Sequence, residues 1–198
     1  VTRSLALLFA AMALLCPAAA MAKHDHAAKG LADTTLLIIR HAEKPDEGRG
    51  LTPEGEARAQ AYVKYFEHFS IDGRSARPDT LIAAADSKES IRPRLTIEPL
   101  SAATGLPIDD RFSDKQAKDL AEALRQGDHG STVLICWHHG EIPKLIHELG
   151  GDAKALIHGD KWPPAVFGWV VVLRYDHKGH LIPDASQVIE EHLMPDDQ

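Results

Sequence analysis

Four apolar runs of β-type residues, at 35–39, 80–84, 132–136 and 167–173, contain no alternation with polar residues. A strand with one wet face alternates, whereas a strand covered on both faces does not. These runs therefore belong in a sheet with helices packed on either side. Helical periodicity fills the intervals between them. Thr52 is a good N-cap with Pro53 at the first helical position, and Ala57, Ala61, Tyr62, Tyr65, Phe66 and Phe69 follow at helical spacing. Ser113 and Gln116 have the spacing of a capping box ahead of Ala117, Leu120, Ala121 and Leu124, with Gly127 as the stop. Ile142, Leu145, Ile146 and Leu149 form a last stripe, ended by Gly150-Gly151. Strands alternating with helices predict a three-layer α/β/α sandwich with a mostly parallel sheet. The chain has 198 residues, 44% of them apolar, which suits one domain with a sizeable core.

The N-terminal residues have another character. Arg3 precedes an uninterrupted apolar run at 5–15, and Ala20-Met21-Ala22 offers a small-residue cleavage site before Lys23. These features predict a secretory signal at 1–22, a flexible leader at 23–33 and a domain at 34–198, in a periplasmic or secreted protein. Retention of the signal as an anchor is the alternative, but the run falls short of the roughly 20 residues that span a bilayer. No stable membrane insertion is expected after cleavage. Loss of Cys16 would leave Cys136 alone, so no intramolecular disulfide is expected and the core must hold the domain. His24 and His26 in the leader are too few to make a metal site. The formal net charge of −7 argues against nucleic-acid partners, though not against a small phosphorylated substrate. Nothing in the sequence sets the oligomeric state.

In parallel sheets the binding crevice lies beyond the carboxyl ends of the strands. Arg40-His41-Ala42-Glu43-Lys44 follows the first run, and Trp137-His138-His139-Gly140-Glu141 follows the third. Arg92 and Arg94 come after the second. Histidines and arginines at one crevice suit phosphoryl transfer. Neutral imidazole is nucleophilic, and a covalent phosphohistidine divides hydrolysis into two easier steps. Guanidinium groups grip phosphate oxygens in pairs and stabilise the transferring group without a metal. Glu43, Glu141, Asp110 and Asp114 are candidate proton donors to the leaving group. Trp137, Trp162, Pro163 and Pro164 are candidates to line the pocket mouth. Two other readings use the same residues. One is a metal-dependent hydrolase with His41, His138, His139 and a carboxylate as ligands. The other is a phosphate-binding module without catalysis.

Four segments together carry a resemblance. Leu36 through Glu43 resembles the strand and Arg-His-Gly/Ala motif of the histidine phosphatase superfamily, the phosphoglycerate mutase-like branch. Residues 51–59 resemble its Leu-Thr-x-x-Gly segment, 87–96 its second-arginine pattern with Thr96 four residues after Arg92, and 133–138 its second-histidine strand. The order is the family's, over about 36–173. The resemblance implies a phosphoglycerate mutase-like fold and hydrolysis of phosphomonoesters with no cofactor or metal. His41 would be the phosphorylated nucleophile, with Arg40 and Arg92 on the phosphate and His138 completing the pocket. His139 stands where the family commonly has glycine or serine, so either histidine could be the pocket residue. Arg94 is the comparable rival to Arg92.

Overall fold

The computed structural model describes residues 28–195 and 197. The signal segment, and the leader as far as residue 27, lie outside the described residues. The described residues begin ahead of the expected domain boundary at 34. Strand β1 (Ala28–Lys29) pairs antiparallel with β7 (Asp128–His129), and Leu31 is buried in the core. A two-residue hairpin pair, β3 (Ser70–Ile71) with β4 (Arg74–Ser75), lies apart from the main sheet.

That sheet contains β2 (Thr35–Arg40), β5 (Thr80–Ala83), β6 (Ile108–Asp109), β8 (Thr132–Trp137), β9 (Trp169–Arg174) and β10 (Gln187–Glu190). Their spatial order is β10-β9-β2-β8-β5-β6. The four strands from β2 to β6 run parallel, whereas β9 lies antiparallel to both β2 and β10. The four apolar runs are the four central strands. The helices are α1 (Pro53–Glu67), α2 (Arg92–Thr104), α3 (Ala117–Gln126), α4 (Ile142–Glu148) and the short α5 (Ala153–Leu156).

Successive residues of each central strand enter two separate cores. Leu36, Ile38, Val133, Ile135 and Val171 pack with Leu120, Leu124, Leu145 and Ile146 of α3 and α4. Leu37, Ile39, Leu134, Cys136 and Val172 pack with Tyr62, Phe66, Ile97 and Leu100 of α1 and α2. This accounts for the unbroken apolar runs: both faces are dry. It is the three-layer α/β/α arrangement.

Local capping signals fared unevenly. Thr52 does cap α1, its hydroxyl accepting from the Gly55 N–H at 3.1 Å. The buried face of that helix is rotated from the expected stripe, however. Ala57 is exposed, while Arg58 and Ala59 are buried. Half of the Ser113 box forms: Gln116 Oε1 accepts from both the backbone and hydroxyl of Ser113 at 3.0 Å, while the Gln116 N–H donates to the Ser113 carbonyl. It holds a turn ahead of the helix, which begins only at Ala117.

β2 and β8 run in register from Thr35 opposite Thr132 to Arg40 opposite Trp137. Beyond the strand proper, the His41 N–H donates to the Trp137 carbonyl at 3.0 Å and the Ala84 N–H to that of Cys136 at 3.0 Å. Three strands therefore finish at one level. The residues that follow them meet at one edge of the sheet.

Candidate active site

His41 sits at the end of the central strand, 1% exposed. Its Nδ1 lies 2.7 Å from the Ala42 carbonyl. A carbonyl can only accept, so Nδ1 carries the proton and Nε2 keeps a free lone pair. Burial, with help from the Arg40, His138 and Arg92 charges, depresses its pKa to about 3, against the hydrogen bond to Ala42 that favours the charged form. The ring is neutral near pH 7. Nucleophilic attack requires that state.

Arg40 is 1% exposed and sits under the loop that leads into β9. Its Nη1 donates to the carbonyls of Pro164 at 2.8 Å and Val166 at 2.9 Å, and its guanidinium lies 3.7 Å over the Phe167 ring. Burial lowers its pKa to about 10, which still leaves it charged. Arg92 is the first residue of α2 and donates from Nη1 to the Gly48 carbonyl at 3.2 Å. Its charge acts on His41, His138 and His139 alike. Arg94 faces elsewhere, bound to Asp86 at 3.0 Å and to Glu98 at 2.9 Å. Two residues along a helix are about 200° apart, so only one of this pair could face the crevice.

Both candidate histidines face His41, edge to face. His138 has its ring centroid 5.2 Å from that of His41 and His139 has its own at 6.1 Å. Their electrostatic settings differ. Burial lowers the pKa of both; Asp114 and Glu141 then oppose the shift at His138, while Arg40, Lys44 and Arg92 deepen it at His139 to about 4. His138 meets charges of both signs, Asp114 and Glu141 against Arg92 and Lys115, whereas His139 meets positive charge only.

The acidic candidates divide similarly. Asp114 and Glu141 act on His138, and Glu141 also accepts from Lys115 Nζ at 2.5 Å. Glu43 is engaged by Arg58, whose Nη2 and Nε donate to it at 2.7 and 2.9 Å. Asp110 acts on Arg94, on the far side of α2. Of the aromatics considered for the pocket mouth, Trp137 and Trp162 are packing residues instead. Both are buried, donating from Nε1 to the carbonyls of Asp114 and Val166. Among the described residues, no group of three or more His, Cys, Asp or Glu is placed to hold a metal ion.

Four buried side-chain nitrogens lack any hydrogen-bond partner among the described residues: Arg40 Nε, Arg92 Nε, His139 Nδ1 and Trp169 Nε1. Three of the four belong to this site. The two arginine nitrogens can only donate, an unmet buried donor is costly, and two at one site mark where an anion would complete the set.

Two contributors were not legible in the sequence. Phe167 was read as strand, yet its ring is the platform for Arg40. Arg58 carries no signal of its own in the sequence, yet it is 2% exposed and gathers Glu43, Glu191 and Asp197 around one guanidinium. Tyr62 adds a hydroxyl hydrogen bond to Glu191 at 3.0 Å. By holding Glu43, this cluster fixes the loop that carries His41. The acidic residues at 191 and 197 lie far along the chain and announce no such role.

The depressed histidine pKa values have a consequence for stability. His41 and His139 take up a proton in the unfolded chain near pH 6.5 but in the folded protein only near about 3 and about 4. Between those values the unfolded state binds more protons, so stability falls as pH falls below about 6.5. Urea midpoints for wild type should drop from pH 7 to pH 5, and the drop should be smaller in His41→Ala. An equal drop in both proteins would contradict the burial of a neutral imidazole.

No family model matches the chain, and no curated protein matches it by sequence. Solved structures do share its fold. The protein histidine phosphatase SixA, complexed with tungstate, superposes with TM-score 0.51 at 14% identity, covering 80% of this chain and 97% of its own. A phosphoglycerate mutase from Plasmodium falciparum gives TM-score 0.52 at 16% identity, covering 83% and 96%. A mutant phosphoserine phosphatase from Entamoeba histolytica, bound to phosphoserine, gives 0.52 at 13% identity, covering 81% and 98%. The expected phosphoglycerate mutase-like fold is the fold of this chain.

Proposed function

We propose that this protein is an exported phosphatase that hydrolyses small phosphomonoesters through a phosphohistidine on His41, without a metal. The observation that carries the reading is the pair of unpartnered guanidinium donors on Arg40 and Arg92 beside a neutral imidazole with Nε2 free. The shared fold supports it, since proteins that act on phosphorylated groups use the same scaffold. Export is supported by the N-terminal segment alone.

In the first step Nε2 attacks phosphorus, a P–N bond forms and the P–O ester bond breaks. The departing oxygen takes a proton from the His138 side, where Asp114 and Glu141 lie. In the second step water attacks phosphorus, the P–N bond breaks, and His41 regains its lone pair as phosphate leaves. The water's proton returns to the group that gave one up. Arg40 and Arg92 hold the equatorial oxygens, where charge spreads in the transition state.

Phosphate release from phosphoserine and from a panel of sugar and aryl phosphates tests this reading. Activity should survive a strong chelator, and Arg92→Ala should lower kcat/KM by about two or more powers of ten. Loss of activity in chelator with rescue by zinc would favour a metallohydrolase. No release from any phosphomonoester would leave a phosphate-binding module.

A further inference from the structure

Thr96 lies one turn inside α2, fully buried between that helix and the loop after β2. A hydroxyl has one proton and two lone pairs. The proton goes to the Arg92 carbonyl one turn back, at 2.8 Å. A lone pair therefore accepts the Ala42 N–H, at 2.9 Å. That N–H has no other partner among the described residues.

The loop is already held at two other points. The His41 N–H is fixed to Trp137, and the Glu43 carbonyl accepts the Thr52 N–H at 3.0 Å. Gly55 permits this second approach, because a Cβ there would lie 2.5 Å from the Glu43 carbonyl oxygen. Ala42 lies between these anchors, and its own carbonyl sets the tautomer of His41. Its own N–H is held by Thr96.

We infer that Thr96 is a positioning residue for phosphoryl transfer: its hydroxyl holds Ala42 so that the carbonyl keeps the proton on Nδ1 of His41 and leaves Nε2 bare. The same hydroxyl ties the nucleophile loop to the backbone of Arg92, so the attacking nitrogen and a phosphate-binding arginine share one anchor. A threonine that back-bonds within a helix gains little for the helix itself. Here its second contact reaches the nucleophile's loop. The inference rests on His41 being the nucleophile.

The test compares Thr96→Val, which keeps the shape and removes the hydroxyl, with Thr96→Ser, which restores it. Thr96→Val should lower kcat about 10- to 100-fold, the kinetic scale of one buried N–H left unpaired, with KM changed less than about two-fold. Thr96→Ser should recover kcat to within about three-fold of wild type, the scale of a retained hydrogen bond with a lost methyl contact. Nitrogen-15 spectra of the His41 ring near neutral pH should show the Nδ1–H form alone in wild type and a mixture of tautomers in Thr96→Val. An unchanged kcat in Thr96→Val, a single retained Nδ1–H tautomer despite lowered kcat, or a Thr96→Ser as impaired as Thr96→Val would overturn the proposal. Should Thr96→Val fail to fold, the wild-type spectrum still decides, because His41 found as the Nε2–H tautomer would overturn it too. The spectrum is independent of activity. An active His41→Ala would therefore refute the nucleophile while the tautomer result separately judged the role of Thr96.

Discussion

His41→Ala is expected to abolish turnover and, with it, any covalent phosphate on the protein. Rapid mixing of wild type with labelled substrate, quenched without acid, should trap label on the chain. That label should be acid-labile and base-stable, as a phosphoramidate is and a serine phosphate is not. The expected loss is complete because the variant lacks both the bond-forming nitrogen and the fixed geometry that makes attack effectively intramolecular. A water molecule in the vacated space would have neither. Arg40 and Arg92 remain in the variant, so phosphate should still bind, and binding separates loss of chemistry from loss of the pocket. Retained turnover or retained label in His41→Ala would refute the proposed mechanism.

Arg58→Met should destabilise the fold by about 3–5 kcal/mol, the range for removing one partner from a buried ion cluster. Burial works against the Arg58 charge, but the Asp197 and Glu43 carboxylates outweigh it and raise the guanidinium further. Burial pushes the Glu191 carboxyl up to about 8, and Asp197 adds to this against the pull of Arg58 and Tyr62. Without Arg58, the Asp197 carboxylate, whose side chain is 6% exposed, would lose its cationic partner. Methionine keeps much of the stem's packing, so the lost charge dominates. The urea midpoint near pH 7 measures the effect, and adding Asp197→Asn to Arg58→Met should recover part of it. A loss below about 1 kcal/mol, the level of an exposed pair, would show that the cluster is solvated. Activity should fall as well, because Arg58 holds Glu43 in the loop that carries the nucleophile.

How far the site could be read in advance depended on the range of the signal. His41 and His138 were legible because a buried strand ends just before each, and strand ends in such sheets open onto the crevice. Arg92 was favoured over Arg94 only through the resemblance, with Thr96 four residues after it, since by strand position alone the two are equal and only helix phase separates them. His138 against His139 was posed as a choice, and the structure turns both rings toward His41. Glu43 stands in the sequence as a candidate proton donor, and only the fold shows its carboxylate engaged by Arg58, 15 residues away.

The sequence by itself determined the layers. An apolar run without alternation needs cover on both faces, and that requirement placed four strands at the centre with helices on either side. It also determined the start of α1, because a cap acts within one turn. It did not reveal β6 or β10, whose residues are only partly covered at the sheet edges. Nor did it reveal that Arg58 belongs inside. That position depends on Glu191 and Asp197, which lie 133 and 139 residues further on. Tertiary structure alone decided the tautomer of His41 and the pairing of charges under the loop. Each of these depends on which groups meet after the chain has packed, and a burial pattern carries no record of such meetings.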